Sequence, residues 1–178
     1  FAGHTGSGKS TELNRLVSDI SNDYEVVKFS VKETNDPFTL QYEDLLISSI
    51  NKVLEFLNNK DEFEYAKLDT KILEEFNNWF YSTEKIKEVV SSSEAVTEVG
   101  VNAKAGFLSV FNIFSKLSLK LKLSGKEKVT YKQDLQKNFS QLLNISKNLL
   151  SNIEEILDKE IILIIEDLDK IDTQKAKE

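Results

Sequence analysis

At 178 residues, 40% of them hydrophobic, the chain can bury one respectable core and falls short of what several would need. Its net charge of −7, with 30 acidic against 23 basic residues, argues against nucleic-acid binding by bulk charge. The absence of cysteine excludes disulfides and thiolate metal sites and fits a cytoplasmic protein, and the single histidine excludes a histidine-cluster metal centre. No apolar run approaches the length needed to span a bilayer.

The chemistry concentrates at the start of the chain. Gly3-His4-Thr5-Gly6-Ser7-Gly8-Lys9-Ser10 satisfies G-x-x-x-x-G-K-[ST], the Walker A or P-loop pattern. A triphosphate needs several backbone N–H groups aimed into one concavity. A loop that wraps in this way visits positive φ, which glycine tolerates best. Lys9 would bring a positive charge to the β- and γ-phosphates, and Ser10 would place a hydroxyl on Mg²⁺. From Thr11 the pattern predicts a helix, because Leu13, Leu16, Val17 and Ile20 recur at the spacing of a helix packed on a sheet. The phosphates would then lie at the positive end of a helix dipole.

Ser21-Asn22-Asp23 reads as a turn, and Glu25 to Val31 as a strand rich in β-formers. Pro37, the only proline, suits the start of a helix. Residues 38–94 are expected to be helical. Leu40, Leu45, Leu46, Ile50, Val53, Leu54 and Leu57 mark one long amphipathic helix, and a second runs from about Glu62 to Tyr81 with Phe63, Leu68, Ile72, Phe76, Trp79 and Phe80 on its core side. Beyond Ser91-Ser92-Ser93 the residues alternate. Val99, Val101, Ala103, Ala105 and Phe107 interleave with Gly100, Asn102, Lys104 and Gly106, as Leu117, Leu119, Leu121 and Leu123 do with Ser118, Lys120 and Lys122. Period two predicts an inserted β-rich hairpin over 95–124. Lys116, Lys120, Lys122, Lys126, Lys128 and Lys132 make this the basic part of the chain. They read as a solvated face, with contact to nucleic acid, an anionic membrane or a partner as the alternative. A long helix over about 130–158 follows, its seam running Leu135, Phe139, Leu142, Ser146, Leu149, Ile153, Ile156.

Ile161-Ile162-Leu163-Ile164-Ile165 has the composition of a strand buried on both faces of a parallel sheet. Glu166, Asp167 and Asp169 follow at its C-terminal end, where open α/β sheets place ligands. The segment 161–169 looks like a Walker B motif, in which one carboxylate holds the Mg²⁺ shell and a neighbour polarises the attacking water. The fold class predicted is therefore α/β. It is a P-loop NTPase core of three α/β/α layers around a parallel sheet, truncated, with a helical and β-hairpin insertion between the two motifs.

With both motifs in hand, the chain resembles bacterial signal-transducing STAND-type P-loop ATPases and the related KAP and AAA-like groups. The likeness rests on the stretch from Gly3 to Leu16 and on that from Ile161 to Lys170, while the middle matches only in layout. The resemblance implies that Gly3, His4, Thr5, Gly6, Ser7, Gly8, Lys9, Ser10 and Thr11 bind the phosphates of ATP. It also implies that Ser10, Glu166 and Asp167 serve Mg²⁺, and that Lys9, Asp167 and Glu166 form the catalytic set. Glu166 stands where such motifs usually carry aspartate, so the division of labour between the two acids stays open. Such proteins couple ATP binding and hydrolysis to assembly or signalling, often as modules of larger sensor or antiviral defence proteins.

The ends look cut, since only Phe1 and Ala2 remain of the strand that normally precedes a P-loop. The chain thus reads as a piece of a longer ATPase, with its other domains, and homo-oligomer formation on ATP binding, as expected partners. Arg15 is the only arginine and lies nearly two turns from the phosphates, so an arginine finger is expected from outside the segment. Two other readings are a nucleotide switch with little hydrolysis, and a GTPase or small-molecule kinase. The last finds no N-K-x-D pattern and no arginine-rich lid in these residues.

Overall fold

The computed structural model of the chain describes residues 8–34, 40–82, 102–121 and 126–168. Its first helix, α1 (Lys9–Ile20), starts at Gly8, whose φ of +79° is left-handed. A Cβ added there would meet nothing within 4 Å, so the backbone conformation and not space favours glycine at this position. Glu12 in the first turn complements the positive end of the helix dipole, and the helix stops at Ser21, whose N–H donates to the Val17 carbonyl (3.0 Å). Its apolar stripe is only loosely covered: Leu13, Val17 and Ile20 are half-buried and Leu16 is 38% exposed.

A turn leads to strand β1 (Glu25–Ser30), which pairs in parallel with β2 (Ile161–Glu166) from Glu25 opposite Ile161 to Ser30 opposite Glu166. Val27 and Phe29 are buried on one face of β1, and Val26, Lys28 and Ser30 lie on the other. Among the described residues the sheet has these two strands. The expectation of a β2 buried on both faces is therefore corrected. All six of its residues are half-buried, because one strand neighbour and the helices beside it leave part of its surface open. The full three-layer core is not seen; the described part is mostly helical with a small parallel sheet.

The bulk of the core is a helical block. A short helix α2 (Val31–Thr34) follows β1 directly, with Val31 fully buried. Helix α3 (Tyr42–Asn58) opens with a capping box in which the Gln41 N–H donates to Asp44 Oδ2 at 3.0 Å. The single helix expected over about 62–81 is broken into a 3₁₀ turn (Tyr65–Lys67) and α4 (Thr70–Ser82). Leu68 turns extended, and Asp69 caps the new helix by accepting the Lys71 N–H at 2.9 Å.

The hairpin expected over 95–124 is also corrected: residues 103–121 form helix α5 (Ala103–Leu121), and 95–101 and 122–124 lie outside the described residues. Leu117 is fully buried while Leu119 is 62% exposed, so the alternating leucines do not share a face. The pattern that prevails is Phe107, Val110, Phe114 and Leu117, a 3-4-3 spacing that buries one helical stripe against α3 and α4. Gly106 permits the close approach to α4, since a Cβ there would sit 3.1 Å from Leu73 Cδ1.

Helix α6 (Lys126–Leu157) completes the block. Its seam of Leu135, Leu142, Ser146, Leu149 and Ile153 is buried within the chain, mainly toward α4 and α3. It ends in a Schellman arrangement: Asp158 takes a left-handed φ of +52° and the Lys159 N–H reaches the Glu154 carbonyl. The Glu154 side chain then accepts the Ile161 N–H at 2.9 Å, fixing how the chain turns into β2.

Candidate functional site

The expected site residues fall into two groups. Of the loop, Gly3, His4, Thr5, Gly6 and Ser7 lie outside the described residues, as does Asp169 beyond β2. Gly8 caps α1, Lys9 opens it, and Ser10 and Thr11 are exposed in its first turn. The N–H groups of that turn have no acceptor within the helix, which leaves them for a ligand or solvent.

Glu166 and Asp167 stand at the C-terminal end of β2, and β1 reaches both. Ser30 Oγ donates to Asp167 Oδ2 at 2.6 Å, a short charge-assisted hydrogen bond between residues 137 apart in sequence. Lys28 Nζ lies 3.1 Å from Glu166 Oε2 and also donates to Asn14 Oδ1 of α1 at 2.8 Å. The alternation of β1 explains this geometry: Lys28 and Ser30 share the face opposite the buried Val27 and Phe29, and Ser30 is directly opposite Glu166 in the ladder. Asp167 has a φ of +64°, a left-handed conformation that aspartate tolerates better than most residues but that still costs free energy.

Asn14 shows which side of α1 is linked, through Lys28, to Glu166. Ser10 precedes it by four residues and so lies on the same helix face, about 6 Å nearer the N-terminus. The face of α1 that carries Ser10 is thus the one joined through Asn14 and Lys28 to Glu166. Lys28, Ser30 and Asn14 were missed by sequence reasoning. A lysine between Val27 and Phe29 was a visible signal for the first, but the partner of each depends on the pairing of β1 with β2.

The donor set can be tested against Mg²⁺. Among the described residues no three of His, Cys, Asp or Glu are grouped to hold a metal ion by themselves. Mg²⁺ does not ask for such a cage, since it is commonly held by one or two carboxylates, a hydroxyl, water and the phosphates of a substrate. A strand-end carboxylate pair, with Ser10 on the helix face that is linked to it through Asn14 and Lys28, fits that habit.

A helix that opens at a left-handed glycine followed by Lys-Ser, linked through Lys28 to a parallel strand that runs into two acids, is the arrangement of a P-loop nucleotide-binding domain. The profile of the KAP family P-loop domain matches residues 2–178, and the chain belongs to that family. No curated protein and no solved structure matches the chain significantly. No helix among the described residues is long and apolar enough to cross a membrane.

Proposed function

We propose that the chain is the ATP-binding, Mg²⁺-dependent ATP-hydrolysing core of a larger STAND-like signalling or defence ATPase. The observation that carries this reading is the convergence, through Lys28 and Asn14, of the Ser10 face of α1 with the acids that end β2. Gly3 to Gly8 would wrap the phosphates with backbone N–H groups, His4, Thr5 and Ser7 lying within that wrap. Lys9 would neutralise the β- and γ-phosphates, and Thr11 would add its N–H from the first turn of α1. Ser10 and Glu166 would hold Mg²⁺, with Asp167 beside them. When bound, the ion supplies charge neutralisation across the transferring phosphoryl group. Asp167 would accept a hydrogen bond from the attacking water, orienting its oxygen in line with the γ-phosphorus, and would take up the proton as the bond to the ADP oxygen breaks. The Ser30 hydroxyl holds the Asp167 carboxylate against the free rotation a strand end allows, which is the kind of positioning such a step requires.

A second reading, a nucleotide switch with little turnover of its own, is favoured by one observation. Arg15, the only arginine, is exposed on α1, so none within the chain is set to serve as a finger.

Single-turnover hydrolysis of ATP separates the assignments. Asp167→Asn is expected to keep ATP binding and lower turnover by about 100-fold or more, the scale of a lost general base. Glu166→Gln is expected mainly to raise the Mg²⁺ concentration required. The reverse pattern would swap the two acids, and unchanged turnover in both would remove them from the reaction.

A further inference from the structure

Lys28 is not explained by stability. It is a cation in the middle of β1, with its side chain 30% exposed and that of its partner Glu166 27% exposed. A single part-exposed pair of this kind contributes only modestly to folding. Nor does its position serve the helical core, since it points away from Val27 and Phe29. Its ammonium is held from two sides, by Glu166 Oε2 at 3.1 Å and by Asn14 Oδ1 at 2.8 Å, and so stands between the phosphate-loop helix and the strand-end acid.

We infer that Lys28 is a tethered counter-cation of Glu166 that competes with the divalent cation for that carboxylate. Asn14 would hold it in place and so link the position of α1 to the charge presented at the end of β2. The inference rests on the reading of Glu166 as part of the Mg²⁺ site. Its physical basis is that a carboxylate already facing an ammonium at 3.1 Å presents less net negative charge to a second cation. A divalent ion approaching the same oxygens must also be close to the ammonium, which repels it. Lys28 thereby sets a threshold: the site favours Mg²⁺ arriving with the extra negative charge of a nucleotide over Mg²⁺ alone. It acts as a positioning residue, through Glu166, and touches no substrate itself.

The experiment measures, on the whole protein, the Mg²⁺ concentration that gives half of the maximal tightening of ATP binding by calorimetry. Lys28→Met, which keeps the apolar stem and removes the charge, is expected to lower that concentration about fivefold, equivalent to about 1 kcal/mol. Lys28→Arg, which keeps the charge, is expected to stay within about twofold of the wild type. In a Glu166→Gln background, Lys28→Met is expected to have no effect. Asn14→Ala, at an exposed helix position, is expected to shift the requirement in the same direction by less, and it serves where Lys28→Met fails to fold. An unchanged or raised requirement in Lys28→Met or Asn14→Ala overturns the inference. So does an equal shift in the Glu166→Gln background, which would reduce Lys28 to a bulk charge. ATP binding by the wild type that ignores Mg²⁺ altogether would instead overturn the metal assignment beneath it.

Discussion

The helical block and the end of the sheet are built on opposite terms. In the block, Ile47, Leu54, Leu57, Trp79, Phe80, Phe107, Phe114 and Leu117 are all 1% exposed or less, and aromatic rings meet edge to face, Phe76 on Phe114 at 5.4 Å and Tyr65 on Phe107 at 4.9 Å. At the sheet end, the side chains that matter are part-exposed and polar, and they are joined by a few hydrogen bonds and one ion pair. Apolar burial supplies most of the stability of a domain, whereas a single part-exposed ion pair supplies much less. The contrast implies that the block carries the fold and that the chemistry proposed for the sheet end is separable from it, so substitutions in one should leave the other's measurement nearly unchanged.

The sharpest way to break that separation is in the block. Trp79→Ala removes a side chain that is 1% exposed and should cost about 3–5 kcal/mol, a large share of the stability of any domain. Urea unfolding measures the loss, and ATP affinity of the folded fraction should be unchanged. An affinity that falls with stability would show that the block reaches into the site. Next in size is Ser30→Ala, which frees the Asp167 carboxylate from its 2.6 Å hydrogen bond. Turnover should fall by about tenfold with ATP affinity and unfolding midpoint held, the scale of one lost charge-assisted hydrogen bond. A drop in stability without a drop in rate would move Ser30 from the chemistry to the fold. The smallest effect belongs to Ser146, 1% exposed in the α6 seam with no hydrogen-bond partner for its hydroxyl among the described residues. Ser146→Ala should be neutral or stabilise by up to about 1 kcal/mol, with no change in ATP affinity, because it removes a polar group whose burial is uncompensated.

Local pattern was the legible part. A glycine-rich stretch running into Leu13, Leu16, Val17 and Ile20 marked α1, β-branched composition marked β2, and a 4-3 spacing marked the α6 seam. Residues 103–121 were misread because two periods overlap there. Leucines alternating after 117 form a strand pattern, while Phe107, Val110, Phe114 and Leu117 form a helical one. Packing against α3 and α4 decides between them. The break before α4 was signalled by Asp69 followed by Thr70, a helix-start pair that the aromatic stripe obscured. At the site, the acids were visible as residues but their partners were not. Ser30 and Lys28 meet Asp167 and Glu166 only because two strands more than a hundred residues apart pair in one register, which no local pattern encodes.

The proposed function requires that this chain bind a nucleoside triphosphate through the loop that ends at Lys9. The most direct test is calorimetric titration of Mg²⁺–ATP into the protein and into its Lys9→Ala variant, with circular dichroism to verify that both are folded. Lys9 is the only basic side chain the motif aims at the β- and γ-phosphates, so saturable binding is expected of the wild type and a loss of about 100-fold or more in the variant. Equal affinity in the two folded proteins would contradict it.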